Sequence, residues 1–221
     1  IHANTTRIGD SRDITLPPII RSREACIESS RMAARIAAET GARLHIAHIT
    51  TVDELALASP QVTLEACVPH LLFCDEDYAR LCTRIKCNPA IKTRADREAL
   101  REAVRDGRIT LIATDHAPHL LQDKEGGCIS AASGMPMMQF SLISMLQLLP
   151  IEQVVRLLCH APADLFGIER RGYLKPGFKA DLAIVRPTDP WVITAADVKS
   201  DCGWSPLEGS TQTWRVEQTW V

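Results

Sequence analysis

The stretch that most constrains this chain is ITLIATDHAPH, Ile109 to His119. Its opening run, Ile109 to Thr114, is apolar or β-branched and contains neither Gly nor Pro, which reads as a buried strand. Asp115, His116, Pro118 and His119 follow at once. Desolvating a carboxylate and two imidazoles at the end of a buried strand costs several kcal/mol unless pairing or a metal ion offsets it. A plain alternative makes Asp115 a helix N-cap followed by a surface His-Pro turn. The segments upstream decide between the two.

At 221 residues the chain is long enough for a sizeable core, as one large α/β domain or two small ones. A net charge of −2 with both signs interspersed leaves no electrostatic footprint for nucleic acid. No apolar run approaches the ~18 residues of a membrane span. The eight cysteines include no C-x-x-C pair, and several lie in apolar segments. This usage suits free thiols in a cytoplasmic protein better than a disulfide framework or a cysteine-based zinc site. The chain opens IHANTT without an initiator Met, so the expectation is a processed chain or a piece of a longer one.

Residues 1–22 read as a long polar loop in which Pro17-Pro18 forbids a helix, and His2 is taken as solvated. Glu24 to Thr40 has helical periodicity, with Cys26, Ser29, Ala33, Ile36 and Ala37 on one face and Gly41 as the stop. Arg43 to Thr50 is the next strand; alternation sends Leu44, Ile46 and His48 one way and His45 and Ala47 the other. His48 is nearer the C-terminal end and is the functional candidate, whereas His45 reads as a packed or hydrogen-bonded residue. Thr51 and Glu54 form a capping box for a short helix, VDELALA. Gln61 to Pro69 is a further strand, with His70 just past its end. TRIKCNPAIK suggests a short strand broken at Asn88-Pro89, and Arg94 to Arg105 is a helix closed by Gly107. Met135 to Leu149 is a helix apolar on most sides whose methionines are core filler, and His160-Ala161-Pro162 is a helix junction.

Alternating helices and strands imply parallel strands with helical crossovers, and ligands then collect at the strands' C-terminal ends. His48, His70 and Asp115 all occupy that end. Two imidazoles and a carboxylate suit a zinc-type ion with positions left for water and substrate.

HIAHITT (His45–Thr51), ACVPHLLF (Ala66–Phe73), KCNPAIK (Lys86–Lys92), ATDHAPH (Ala113–His119) and RRGYLKPGFKADLAIV (Arg170–Val185) resemble, in order, successive blocks of dihydroorotases. These are metal-dependent barrel enzymes of the amidohydrolase superfamily. CGWSPLEG, Cys202–Gly209, is similar to the tail of bacterial members. The final His of TDHAPH separates the resemblance from hydantoinases and allantoinases, which usually lack it. The resemblance implies that His48, His70 and Asp115 are metal ligands and that Asp115 also shuttles the catalytic proton. It implies that Asn88 and His119 hold the substrate, His119 through its carboxylate, and that the loop Cys128–Met135 closes over the ring. The implied reaction is the reversible hydrolysis of dihydroorotate to N-carbamoyl-aspartate in pyrimidine biosynthesis, with Zn2+ as cofactor, two ions in the complete enzyme. His116 matches the motif but is given no chemistry.

The family's H-x-H strand and its bridging lysine or acid have no counterpart in this sequence, and an eight-stranded barrel takes typically ~250 residues. The expected fold is therefore α/β. Residues 1–170 would form the second half of a (β/α)8 TIM-type barrel, and residues 171–221 a β-rich tail from a small side domain. The expected partners are the small-molecule substrate and the missing N-terminal barrel half, with a homo-oligomer left open. This chain alone is expected to be inactive. A non-catalytic dihydroorotase-like structural subunit, or a related cyclic amidase such as hydantoinase or allantoinase, stands as the alternative.

Overall fold

The computed structural model describes residues 11–221, so His2 lies outside the described residues. Helix α1, Arg23–Thr40, begins where Ser22 accepts the Ala25 amide and ends at Gly41 with φ of 73°. Its inward face carries the buried Ser30 and Ala37, while Ile36 is 47% exposed, so the face is rotated from the expected one. The helix packs chiefly toward β1 and the Val52–Leu57 turn. A further correction lies just upstream. Pro17 and Pro18 start a short helix, Pro17–Ile20, instead of excluding one, because a first-turn residue needs no amide partner.

Strands β1 (Leu44–Ile46), β2 (Val62–Cys67) and β3 (Leu111–Ala113) form a parallel three-stranded sheet in the order β1-β2-β3. Leu44 pairs with Val62, and Glu65 pairs with Leu111. Between β1 and β2 runs a 3-10 turn, Val52–Leu57, carrying the expected reciprocal Thr51–Glu54 capping box. Helix α2, Val68–Leu72, follows β2 directly. Lys86–Lys92 is not a strand: a 3-10 turn, Cys82–Ile85, leads into an irregular segment. Pro89 has no amide to give to a ladder. Helix α3, Arg94–Asp106, buries Leu100, Ala103 and Val104 and closes at Gly107.

Helix α4, Met138–Leu148, lies after the loop that follows β3. Met135, Met137 and Met145 are fully buried, as expected of core filler. Ile151–Val155 continues through a π-helical segment, Arg156–His160, into Ala161–Phe166, with Pro162 in its first turn. The tail supplies β4 (Leu182–Val192) and β5 (Thr211–Trp220), an antiparallel pair with two register shifts. This pair packs on α4, where Gln147 Nε2 donates to Gln212 Oε1 at 2.7 Å. No helix of the described residues is long and apolar enough to cross a membrane. All eight cysteines are free.

Candidate active site

β1 ends at Ile46, and the chain then kinks: His48 has a φ of 42°, in the left-handed region that few side-chain-bearing residues adopt. The strand alternation used to orient His48 therefore stops two residues before it. Ile49 returns to the sheet by donating its amide to the Glu65 carbonyl at 2.9 Å. Asp115, past the end of β3, has a φ of 47°. Left-handed residues at the ends of two strands are local strain of the kind that gathers at functional sites.

His70 sits in α2, 3% exposed, with Nε2 3.0 Å from the Pro89 carbonyl. That contact makes Nε2 the donor and leaves the Nδ1 lone pair unspent. His70 Nδ1 and His48 Nδ1 are both buried without a hydrogen-bond partner. Leaving a buried polar atom unpaired costs about 1–3 kcal/mol, so two such nitrogens in one region call for a ligand. Burial pushes the His70 imidazole down to about 4, opposed by its Pro89 contact and assisted by Lys92 and His48, so the ring is neutral at neutral pH. Burial likewise raises the Asp115 carboxyl, with His48 opposing and Glu65 adding to the shift. His48 thus feels both His70 and Asp115. The donors fit a zinc-type ion in kind: two imidazole nitrogens and a carboxylate. Among the described residues, however, no group of three or more His, Cys, Asp and Glu side chains is arranged to hold a metal ion, so His48, His70 and Asp115 are not gathered into a ready site.

Asn88 and His48 line one cleft of 420 Å³, walled by α1, β1 and Glu54. His70 touches this region through Pro89, whereas Asp115 and His119 do not line it. His119 lies on the loop after β3, where its Nε2 donates to the Ser133 carbonyl at 3.1 Å. Its own carbonyl accepts the Trp204 indole at 2.9 Å. Gly134 has a φ of 122°, and a Cβ there would overlap Ala117 and press on His119. A larger cleft of 910 Å³ is lined by Arg12, Arg80, Arg84 and Lys124 and holds none of the candidate residues.

Four residues outside the sequence-based candidates shape the region. Glu65 joins β1 to β2 through its carboxylate, which takes the His48 amide at 3.2 Å and lies 3.3 Å from His45 Nε2. His45 also meets Thr63 Oγ1 at 2.9 Å, consistent with a hydrogen-bonded residue. His116 Nδ1 accepts the amides of Met137 and Met138 at 3.1 and 3.2 Å, capping α4 from outside the helix. Lys124, 2% exposed, donates to the carbonyls of Lys86, Ala132 and Gly134 and so ties the loop to the segment carrying Asn88. Trp204 brings the tail onto the His119 loop. In the sequence, a carboxylate inside an apolar strand is the signal for Glu65; His116 and Trp204 lie in motifs singled out there without these roles, and nothing marks Lys124.

The family model described as the amidohydrolase family matches residues 19–221. A dihydroorotase from Halobacterium salinarum is 37% identical over 195 residues, covering 86% of this chain and 46% of that protein. An allantoinase from Bacillus velezensis is 34% identical over 212 residues, covering 90% of this chain and 46% of its own length. Among solved structures, the D-hydantoinase (dihydropyrimidinase) from Thermus sp. superposes with a TM-score of 0.89 at 19% identity, over 100% of this chain and 52% of its own. The L-hydantoinase from Arthrobacter aurescens gives 0.84 at 23%, over 99% and 52%. These two likenesses speak to the fold alone. The chain spans about half the length of the curated relatives it matches.

Proposed function

The chain belongs to the amidohydrolase family, and on that premise we propose that it is the C-terminal portion of a dihydroorotase, supplying the second half of a (β/α)8 barrel and part of a side domain. The observation that carries this reading is the pair of buried, unpartnered imidazole nitrogens of His48 and His70, in electrostatic reach of each other and with His48 also in reach of Asp115. In this reading His48, His70 and Asp115 hold zinc, with the remaining donors on an N-terminal barrel half that completes the site. Zinc, when bound, would supply Lewis acidity, polarising the amide carbonyl and acidifying water.

The chain's own residues do the rest. Asp115, whose burial favours the protonated form more than usual, takes a proton from the attacking water and returns it to the leaving nitrogen. Asn88, exposed at the mouth of the His48 cleft, offers an amide to the substrate. His119, held by Ser133 and Trp204, reads the substrate carboxylate. The allantoinase relative gives the second reading, a related cyclic amidase, some weight. A non-catalytic subunit would have no need of two unpaired buried nitrogens. The test is turnover of dihydroorotate, allantoin and hydantoin by this chain assembled with the N-terminal half of a related dihydroorotase. Preference for dihydroorotate supports the reading; preference for either other substrate replaces it with the cyclic-amidase alternative.

A further inference from the structure

We infer that Glu65 is a positioning residue for His48, acting on the backbone kink that aims the imidazole. This rests on the reading of His48 as a metal ligand. Glu65 lies on β2, opposite Leu111 of β3, and is 9% exposed. A buried carboxylate in the middle of a sheet is costly unless its oxygens are satisfied. Here both oxygens are used, and used on the neighbouring strand's end. Oε1 accepts the His48 amide at 3.2 Å and lies 3.5 Å from the Cys67 thiol, while Oε2 lies 3.3 Å from His45 Nε2. The backbone carbonyl of the same residue accepts the Ile49 amide at 2.9 Å.

Glu65 thus grips consecutive amides, one by its side chain and one by its main chain. The first residue so held, His48, is left-handed, φ 42°. Such a conformation persists only where the surroundings over-determine it. With the side-chain hold gone, the His48 peptide is free to relax toward the extended region. The imidazole would then leave its buried position, where Nδ1 has no other partner. The main-chain bond to Ile49 does not depend on the side chain of Glu65 and would remain. That difference separates a role in aiming His48 from a role in holding the sheet.

The experiment is amide hydrogen exchange by NMR on the chain in complex with the N-terminal half of a related dihydroorotase, paired with binding of Zn2+ alone to that complex, measured by competition with a chromophoric chelator. In the unaltered chain the His48 amide should exchange slowly, although it lies beyond the strand. Glu65→Ala should speed exchange at His48 while leaving Ile49 protected, and weaken zinc binding about 10–100-fold. Glu65→Gln keeps an oxygen for the His48 amide and should restore both properties to near the original values. A fast-exchanging His48 amide in the unaltered chain overturns the inference without any variant having to fold. So does joint loss of protection at His48 and Ile49 in Glu65→Ala, which would mark a merely structural role. Unchanged zinc affinity in Glu65→Ala, where His48→Ala does weaken it, also overturns the inference. If His48→Ala itself leaves zinc binding unchanged, the metal reading of His48 falls, and exchange at His48 still decides whether Glu65 holds the kink.

Discussion

At the scale of single residues, the region is held by buried polar groups that use backbone carbonyls and amides as partners. Lys124 is the clearest case: burial pushes its ammonium down to about 8, with Cys87 opposing and Lys86 adding to the shift. Between that value and the ordinary 10.5, the unfolded chain keeps a proton that the folded chain has released, so stability rises with pH across this window. Urea denaturation at several pH values should show this rise, and Lys124→Met should flatten it. An unchanged slope in the variant would assign the effect to another group. His119→Ala, in the assembled enzyme, should cost about 1.5–3 kcal/mol with dihydroorotate, or one to two decades in rate, and much less with a cyclic amide lacking the carboxylate. Equal losses on both substrates would show that His119 does not read the carboxylate. The positions of Asp115 and His70, each just past the end of a parallel strand, were legible in the sequence because a polar group there ends an apolar run. The geometry of His48 was not, since alternation assumes extended backbone and His48 is left-handed.

At the scale of elements, helix ends were the most readable features. Gly41 and Gly107 close α1 and α3 with φ of 73° and 88°, and Thr51 with Glu54 forms the capping box. What local sequence could not carry was partnership between distant segments. His116 caps α4 from 21 positions away, so its removal orphans two amides at once. His116→Ala should destabilise the protein by about 1–2 kcal/mol, the usual worth of a lost N-cap, as read by chemical denaturation. The loss should be absent if solvent replaces the imidazole. Gly134→Ala is strained by its φ of 122° and by Ala117. It should loosen the loop that anchors His119, raising KM more than it lowers stability; an unchanged KM would detach this loop from substrate binding. The strand expected at Lys86–Lys92 is absent because Pro89 offers no amide to a ladder, whereas the misplaced face of α1 has its cause in the neighbours of that helix. Periodicity reports which residues are able to pack, and the available neighbours decide which do.

For the whole molecule, the described residues form a three-stranded parallel sheet and a two-stranded antiparallel pair. The matched relatives and solved structures are about twice as long. β1 and β3 are the outer strands, and outer strands present unpaired backbone groups to whatever lies alongside. That the strands run parallel was legible from their alternation with helices. In the proposed reading, Asp115, His48 and His70 are half of a site finished by another segment. Its most direct test is dihydroorotate turnover by this chain alone and by its co-purified complex with the N-terminal half of a related dihydroorotase, each with and without Asp115→Ala. No turnover is expected from the chain alone, turnover from the complex, and its loss on Asp115→Ala. Full turnover by the isolated chain, or a complex indifferent to Asp115→Ala, would contradict that reading.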